Sequence, residues 1–252
     1  MILLLGGTSE TKPIAIALAA AGYAVLVSTA TDNALDVGDH PKITRRAGRL
    51  TQEGMVELVK ENEVAIFIDA THPFAIVAHE TAQKAASLAG IPYIRYQRPS
   101  TQYDSEGILY AESHEQAAAS AFSFGKPVLL TTGSRNLLPY AEKSRASGSR
   151  VIARVLPHPE SLDACKQAGL PSASVIAKRG PFSVDENLEV IRNFNIGVIV
   201  TKDSGSSGGV PEKLEAARMA GCRVVMVRKP DGSGTSFDSV PQLVAEVRQR
   251  LS

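Results

Sequence analysis

Short apolar runs alternate with longer segments of helical spacing in the first hundred residues. Runs of this length, bounded by glycine or polar residues, are typical of strands that are buried on both faces. The pattern predicts strands at 2–5, 23–28, 64–69 and 92–96, and helices at 9–21, 51–62 and 73–88. Helices that separate such strands favour a parallel sheet covered on both sides, so we expect an α/β domain over residues 1–100.

The alternation restarts after a polar, proline-containing segment at 98–106. It predicts strands at 127–131, 150–155, 174–177, 197–201 and 223–227, and helices at 112–122, 159–168, 184–194, 211–220 and 240–251. We therefore expect a second α/β domain over residues 107–252, although a return of the last helix to the first domain would also fit the pattern. The predicted fold is a pair of Rossmann-like lobes with mainly parallel sheets and a ligand cleft between them.

Composition narrows the class of protein. A net charge of +1 over 252 residues lacks the basic excess that nucleic-acid binding needs. Cys165 and Cys222 are far apart and lack CxxC spacing, which argues against a disulfide framework or a zinc cage. No cluster of His, Cys and carboxylate residues indicates another metal site. The apolar runs are too short for a membrane span or a signal peptide, so we expect a cytoplasmic protein that does not bind membranes.

A glycine turn joins the first predicted strand to the first predicted helix. Gly6 and Gly7 allow the backbone to approach a diphosphate closely. The helix start at Thr8, Ser9 and Glu10 supplies N–H groups, hydroxyls and the positive end of a helix dipole. Only two glycines of the dinucleotide fingerprint GxGxxG are present, so a plain connecting turn is the alternative. The position after the first strand favours a dinucleotide site.

The end of the second predicted strand bears on the choice of cofactor. NAD sites usually place an acidic residue here for the ribose 2′-hydroxyl, whereas this chain has Ser28, Thr29 and Thr31. Hydroxyls suit a 2′-phosphate, which a nearby arginine would neutralise. These residues therefore favour NADPH over NADH. The candidate arginines are Arg45, Arg46 and Arg49.

The apolar strand at 64–69 runs into Asp69-Ala70-Thr71-His72-Pro73. Pro73 suits the first turn of a helix, so Thr71 and His72 are expected at the carboxyl edge of the sheet, beside the glycine turn. Thr71 would then contact the cofactor, and His72 would act as an acid or bind a carboxylate. Alternatively, Asp69 and Thr71 cap the helix and His72 packs locally. His79, inside the helix, is a less favoured candidate.

Two polar turns follow strands of the second domain. Thr132 and Gly133 are expected to touch the nicotinamide end of the cofactor, and Ser134 either binds substrate or caps the next helix. Lys202-Asp203-Ser204-Gly205 opens a glycine- and serine-rich turn. This turn is an anion cradle, a closing loop or a plain linker.

Together these segments resemble the precorrin-6A reductase family of cobalamin biosynthesis. The resemblance extends over nearly the whole chain, and the string Asp-Ala-Thr-His-Pro-Phe-Ala is its most specific part. The segments that carry it are Gly6-Gly7-Thr8-Ser9-Glu10, Ser28-Thr29-Ala30-Thr31, Gly48-Arg49-Leu50, Asp69-Ala70-Thr71-His72-Pro73-Phe74-Ala75, Pro92-Tyr93-Ile94-Arg95-Tyr96, Arg98-Pro99, Thr131-Thr132-Gly133-Ser134 and Thr201-Lys202-Asp203-Ser204-Gly205.

The resemblance implies an NADPH-dependent reductase that passes hydride to the C18–C19 double bond of precorrin-6A, or of its cobalt form, and gives precorrin-6B. Any metal would belong to the substrate. A flat tetrapyrrole fringed with carboxylates needs cations around an apolar slot, and its product would be handed to other corrin-pathway enzymes. The proton donor would be His72, Asp203 or water. Substrate-binding candidates are His72, Arg95, Arg98, Ser134, Arg154, Lys178, Lys202 and Ser204.

Two other functions fit the same residues. An NAD(P)-dependent reductase of another substrate would share the glycine turn but would not need the cations. A dinucleotide-sensing module would have the glycine turn and no reactive groups in the second domain. Polar turns follow strands in both domains, which favours an enzyme.

Overall fold

A computed structural model of the chain describes residues 1–31, 36–97, 107–205, 208–229 and 236–251. The chain divides into two compact units. Unit 1 comprises residues 1–99 and 230–252, and unit 2 comprises residues 100–229. The second domain predicted over 107–252 is therefore too long at its end, because residues 230–252 return to unit 1.

A helix separates most successive strands in both units. The described strands are β1 (Ile2–Leu5), β2 (Val25–Thr29), β3 (Ile43–Ala47), β4 (Ile66–Asp69), β5 (Tyr93–Tyr96), β6 (Ile108–Ala111), β7 (Val128–Leu130), β8 (Val151–Val155), β9 (Val175–Ala177), β10 (Val198–Lys202), β11 (Arg223–Val227) and β12 (Ser236–Phe237). The described α-helices are α1 (Thr11–Ala20), α2 (Gln52–Glu61), α3 (Ile76–Ala89), α4 (His114–Phe122), α5 (Leu138–Ser147), α6 (Pro159–Gln167), α7 (Val184–Asn193), α8 (Val210–Ala220) and α9 (Val240–Leu251).

In unit 1 the described strands form one parallel sheet in the order β3-β2-β1-β4-β5-β12. With β12 counted as the sixth strand, this is the order 3-2-1-4-5-6 of doubly wound dinucleotide-binding sheets. The order reverses between β1 and β4, and the helices that follow these two strands cover opposite faces of the sheet. Such a reversal opens a crevice at the carboxyl edge of the sheet.

The sheet of unit 2 has the same arrangement, with its described strands in the order β9-β8-β7-β10-β11-β6 and all pairings parallel. Here β7 corresponds to β1 and β10 to β4, so the reversal lies between β7 and β10. The sixth position is held by β6, which precedes the other strands of unit 2, whereas β12 reaches unit 1 after unit 2 is complete. The two units thus exchange their sixth strands.

Both faces of the unit 1 sheet are buried, as its continuous apolar strands predict. Ile14 of α1 and Leu243 of α9 pack together on one face, while Met55 of α2 and Ala82 of α3 pack against Phe67 on the other. Burying one large apolar side chain contributes about 1.5–3 kcal/mol. The apolar side of α9, which covers the sheet beside α1, therefore explains why the end of the chain belongs to unit 1.

Four elements lie where the apolar pattern predicts none: β3, β6, β12 and α5. The three strands lie at sheet edges, and β3 reads Ile-Thr-Arg-Arg-Ala, with Thr44 and Arg45 exposed and Arg46 half-buried. Edge strands commonly carry charged residues, which removes the apolar signal of a strand. In the parts of the chain that the structure describes, no helix has the length and apolar character of a membrane span.

Candidate active site

The turn from β1 to α1 needs glycine at two positions for two different reasons. A Cβ on Gly6 would lie 2.5 Å from the Cγ2 of Thr11, so any side chain there would displace the turn. Gly7 has a φ of +130°, which side chains of L-residues rarely tolerate. The Thr11 hydroxyl accepts hydrogen bonds from the backbone N–H groups of Gly7 (3.1 Å) and Thr8 (3.3 Å) and holds the turn against the start of α1.

The glycine turn lies against the end of β4, as the strand order predicts. The Thr8 hydroxyl donates to the Ala70 carbonyl (3.0 Å), and the Ala70 N–H donates to the Leu5 carbonyl (2.9 Å). Ser9 and Glu10 lie just before α1, and the Ser9 hydroxyl donates to the Glu10 carboxylate (3.1 Å). Residues 6–10 and residues 70–71 therefore share the carboxyl edge at the β1/β4 reversal.

Both carboxylate oxygens of Asp69, the last residue of β4, are hydrogen-bonded to neighbouring residues. One carboxylate oxygen accepts from the Thr71 N–H (2.9 Å) and hydroxyl (2.7 Å), and the other contacts His79 Nδ1 (2.8 Å) and accepts from the Tyr93 hydroxyl (2.7 Å). Burial alone would raise the pKa of Asp69, but its hydrogen bonds and electrostatic interaction with His79, together with its bonds to Thr71 and Tyr93, outweigh it and hold the pKa below its usual value. Asp69 therefore orients the residues around it.

The two histidines near Asp69 differ in their contacts. His72 is half-buried in the turn before α3, where its Nδ1 accepts from the Phe74 N–H (3.3 Å). His79, one turn into α3, is buried and contacts both Asp69 and Arg95. Asp69 and Thr71 do not cap the helix, since their bonds close the turn that precedes it. Sequence analysis favoured His72, whereas the network of unit 1 runs through His79.

The hydroxyls at the end of β2 lie beside one arginine. Ser28 and Thr29 are buried, the Ser28 hydroxyl accepts from Arg46 Nη1 (2.8 Å), and the Thr29 hydroxyl donates to the Thr31 carbonyl (3.0 Å). Arg46 belongs to β3, which pairs with β2, and this pairing fixes the contact. Arg46, a candidate for binding the 2′-phosphate, is thus in direct contact with a candidate hydroxyl. The others, both exposed, are Arg45 and Arg49.

Arg95 is buried at the end of β5, in register with Asp69. Its Nη2 lies 3.0 Å from His79 Nε2. Its Nε is buried and has no hydrogen-bond partner among the residues that the structure describes. Arg98, another predicted substrate contact, lies outside the described residues.

In unit 2 the turn after β7 carries buried hydroxyls. Thr131 donates to the Val200 carbonyl of β10 (2.9 Å), while the buried Thr132 hydroxyl has no partner within the described ranges. Gly133 has a φ of +83° and follows it. Ser134 lies 3.3 Å from the Ser161 hydroxyl and does not cap α5, which begins four residues later. The roles predicted for Thr132, Gly133 and Ser134 remain predictions.

Lys202, at the end of β10, has a lowered pKa. Burial and the nearby charge of Arg135 lower the pKa of Lys202 to about 8. Burial, with the charge of Lys202, lowers the pKa of His114 to about 4 against the opposing charge of Glu115. The His114 Nδ1 lies 2.8 Å from the hydroxyl of the buried Tyr140. This edge therefore concentrates positive charge in a poorly solvated place.

Asp203 and Ser204 begin the glycine- and serine-rich turn. Burial raises the pKa of Asp203 although the charges of Lys229 and Arg228 act to lower it. Ser204 is buried, and a Cβ on Gly208 would lie 2.0 Å from its hydroxyl oxygen, so the turn folds closely on itself. An acid with a raised pKa is a reasonable proton donor near neutral pH.

Arg154 of β8 is buried with few partners. Its Nη2 donates to Asn187 Oδ1 (2.9 Å), its guanidinium lies 3.9 Å from the centre of the Phe182 ring, and its Nη1 has no partner among the described residues. Burial lowers the pKa of Arg154 to about 10, opposed by the charge of Glu186. Lys178, by contrast, is exposed and pairs with Glu186 (2.6 Å).

Lys213 adds a buried cation that sequence analysis did not select. It donates to the Gly208 carbonyl (2.7 Å) at the start of α8. Burial and the charge of Arg154 lower the pKa of Lys213 to about 8, against the opposing charge of Glu212. Two neighbouring buried cations, Arg154 and Lys213, are costly unless an anion joins them. The edge of unit 2 therefore favours an oxyanion such as a carboxylate.

Three functional candidates had little signal in the sequence. Thr11 reads as an ordinary first helical residue, Lys213 as one solvated cation of an amphipathic helix, and His79 as a histidine inside a helix. A polar residue directly after a glycine turn was the available signal for Thr11. The burial of Lys213 and His79 depends on partners remote in the sequence, which periodicity does not reveal.

Comparisons with known proteins agree with this architecture. The family model described as precorrin-6x reductase matches residues 1–248. A cobalt-precorrin-6A reductase of Priestia megaterium is 36% identical over 246 residues, which cover 97% of this chain and 96% of that protein. One from Salmonella typhimurium is 34% identical and covers 100% and 95%. A solved structure named CobK precorrin-6A reductase is 25% identical, with a TM-score of 0.78 and coverage of 99% and 96%. The chain belongs to the precorrin-6x reductase family.

Proposed function

We propose that this protein catalyses the NADPH-dependent reduction of the C18–C19 double bond of precorrin-6A, or of its cobalt form, to precorrin-6B in corrin ring biosynthesis. The observation that carries the proposal is the family match over residues 1–248, which includes both strand-order reversals. The relatives named above are cobalt-precorrin-6A and precorrin-6A reductases and span nearly their whole length in the comparison.

Unit 1 binds the cofactor in this proposal. The diphosphate lies at the Gly6–Glu10 turn, where the open space beside Gly7 and the positive end of α1 suit a close anion. Ser28, Thr29 and Thr31, with Arg46 or Arg49, hold the 2′-phosphate and give the preference for NADPH. Thr71 contacts the cofactor at the end of β4. When bound, the cofactor supplies the hydride.

The carboxylates of the tetrapyrrole are held mainly by unit 2 in this proposal. Arg154 is buried and Lys202 is half-buried at strand ends, and a carboxylate that reaches them offsets the cost of removing their charges from water. The hydroxyls of Ser204 and Ser134 donate hydrogen bonds to the same ligand. Arg95 of unit 1 binds a further carboxylate. Lys178 contributes less, because it is exposed and already paired with Glu186.

Reduction of a carbon–carbon double bond needs a proton on the carbon beside the one that receives hydride. Asp203 is the favoured donor, because it directly follows β10 and burial raises its pKa. His72 is the second candidate, half-buried at the end of β4. The balanced change is one hydride and one proton added to the tetrapyrrole, with the nicotinamide oxidised.

The test is anaerobic mixing of the purified protein with precorrin-6A and NADPH. We expect the nicotinamide absorbance to fall as the tetrapyrrole spectrum changes, with one equivalent of NADPH used per tetrapyrrole. Parallel reactions with NADH and with cobalt-precorrin-6A measure cofactor and substrate preference. No turnover of either tetrapyrrole with either nucleotide, by protein that is folded and monodisperse, would refute the proposal.

A further inference from the structure

The contacts of His79 determine where its proton lies. Its Nε2 is 3.0 Å from Arg95 Nη2, and a guanidinium can only donate hydrogen bonds. Nε2 must therefore accept, which places the ring proton on Nδ1, 2.8 Å from the Asp69 carboxylate. The Pro73 carbonyl also lies 3.3 Å from Nε2, so a proton on Nε2 would exchange the Arg95 contact for a bond to Pro73.

Arg95 depends on His79 for its placement. Arg95 is only 7% exposed. Its Nη2 hydrogen-bonds to His79, and its Nε has no hydrogen-bond partner among the described residues. The nearest carboxylate in this network, Asp69, is already saturated by Thr71, His79 and Tyr93. A buried guanidinium with so little compensation is poised to bind an anion.

Arg95 also lies on the side of the sheet edge where a reacting group is expected. In the strand order of unit 1, β5 follows β4 on the side of the reversal away from β2 and β3, where the 2′-phosphate is proposed to bind. Doubly wound sheets place the second half of a dinucleotide on this side. An oxyanion bound by Arg95 would therefore lie near the reacting end of the ligands.

We propose that His79 is a positioning residue: as the neutral tautomer with its proton on Nδ1, it links Asp69 to Arg95 and holds the guanidinium ready to bind an oxyanion of a ligand. The oxyanion is a phosphate of the cofactor or a carboxylate of the tetrapyrrole. This inference rests on the proposed function for the identity of the ligands, while the tautomer of His79 rests on the geometry alone.

The tautomer is tested in solution by long-range ¹H–¹⁵N spectra of protein with labelled histidine. The chain has five histidines, so the His79 signals are assigned as those lost in a His79→Asn variant. We expect a protonated Nδ1 and an unprotonated Nε2 in the wild type at neutral pH. An imidazolium, or a proton on Nε2, would overturn the proposal even if the protein is an active reductase.

Two substitutions separate the two bonds of His79. The asparagine amide nitrogen lies near the position of Nδ1, so His79→Asn keeps the bond to Asp69 and loses the acceptor for Arg95. The glutamine amide oxygen reaches toward Nε2, so His79→Gln keeps an acceptor for Arg95. We expect His79→Asn to weaken the affinity for the affected ligand by roughly tenfold, with a smaller change in kcat. His79→Gln should remain closer to the wild type.

An Arg95→Gln background tests whether His79 acts through Arg95. There His79→Asn should cause no further loss of ligand affinity, because the group that it positions is gone. NADPH affinity by fluorescence and KM for the tetrapyrrole identify which ligand supplies the oxyanion. Unfolding by urea checks that each variant is folded. If His79→Asn does not fold, the His79 signals are assigned as those lost in His79→Gln, and the tautomer of the wild type still decides.

Two results would contradict the positioning role. One is a greater ligand loss in His79→Gln than in His79→Asn, which indicates that only the anchoring of α3 to Asp69 matters. The other is unchanged affinity for both ligands in folded Arg95→Gln protein. A wild-type protein that binds NADPH but reduces no tetrapyrrole would refute the proposed function, while the spectra and the NADPH affinities would still judge His79.

Discussion

The carboxyl edges of the two sheets share a strand order but differ in electrostatics. At the edge of unit 1, the buried Asp69 and Arg95 carry opposite charges and are linked through His79, and the glycine turn presents backbone. At the edge of unit 2, the buried Arg154 and Lys213 and the half-buried Lys202 have lowered pKa values. The same topology thus supports two ligand chemistries, and the residues at each edge decide which one.

The largest effect that this contrast predicts is on the glycine turn of unit 1. Gly6→Ala places a methyl group 2.5 Å from Thr11 Cγ2 and must displace the turn. We expect NADPH affinity to fall by roughly a hundredfold, with tetrapyrrole binding little changed. Gly54→Ala in α2, where the added methyl group would make only ordinary contacts, is the control. Equal losses for both ligands would show that the turn is not specific to the cofactor.

Arg154→Gln tests the carboxyl edge of the unit 2 sheet. Loss of a buried guanidinium should raise the KM for the tetrapyrrole by roughly tenfold or more and leave NADPH affinity within about twofold. Because Arg154 also packs on Phe182, the urea unfolding curve should be measured alongside. Arg150→Gln, an exposed arginine four residues earlier, is the matched control. A defect confined to NADPH would reverse the assignment of the two edges.

The lowered pKa values of Lys202 and Lys213 predict that tetrapyrrole binding at the edge of unit 2 depends on pH, and that NADPH binding at the edge of unit 1 does not. Lys202 and Lys213 carry their charge below about pH 8 and lose it above. The kcat/KM for the tetrapyrrole, which reports the free enzyme, should therefore decline severalfold as pH rises through this value, while NADPH affinity shows no such step. In Lys202→Arg the decline should shrink to the part due to Lys213. An unchanged profile in that variant would exclude Lys202 as its cause.

A prediction about the folded state, not about ligand affinity, concerns stability in acid. The pKa of His114 is about 4 in the folded protein against an ordinary value of 6.5. Between these values the unfolded chain takes up a proton that the folded chain does not, so the free energy of unfolding falls as pH falls. His114→Asn should make this decline shallower in urea unfolding series. His158→Asn, at an exposed position, should leave it as in the wild type.

The central strands of each sheet could be predicted from the sequence, whereas three of the four described edge strands, β3, β6 and β12, were missed. Strands such as β1 and β4 are buried on both faces and show continuous apolar runs, so their positions and the glycine turn between β1 and α1 were predicted closely. The strand β3 has two adjacent arginines and no apolar run. Its pairing with β2 nevertheless decides that Arg46 meets Ser28, a contact that no local pattern encodes.

The sequence indicated the candidate residues near strand ends better than those that reach the site from helices. Thr71, Lys202 and Asp203 follow strands, and the rule that ligands bind at carboxyl edges identifies such residues directly. His79 and Lys213 lie on helices and reach the edge with their side chains. Their burial follows from which helix covers which strand, and that depends on the whole topology.

The exchange of sixth strands limits how this protein can be divided. A fragment ending at residue 99 would lack β12, so the outer side of β5 would have unpaired backbone groups. Such an exposed edge strand promotes aggregation. A useful excision of the cofactor-binding half would have to splice residue 97 to residue 236 with a new connection. Exchange of one contiguous gene segment by recombination would therefore damage both units. We expect the two units to be inherited together.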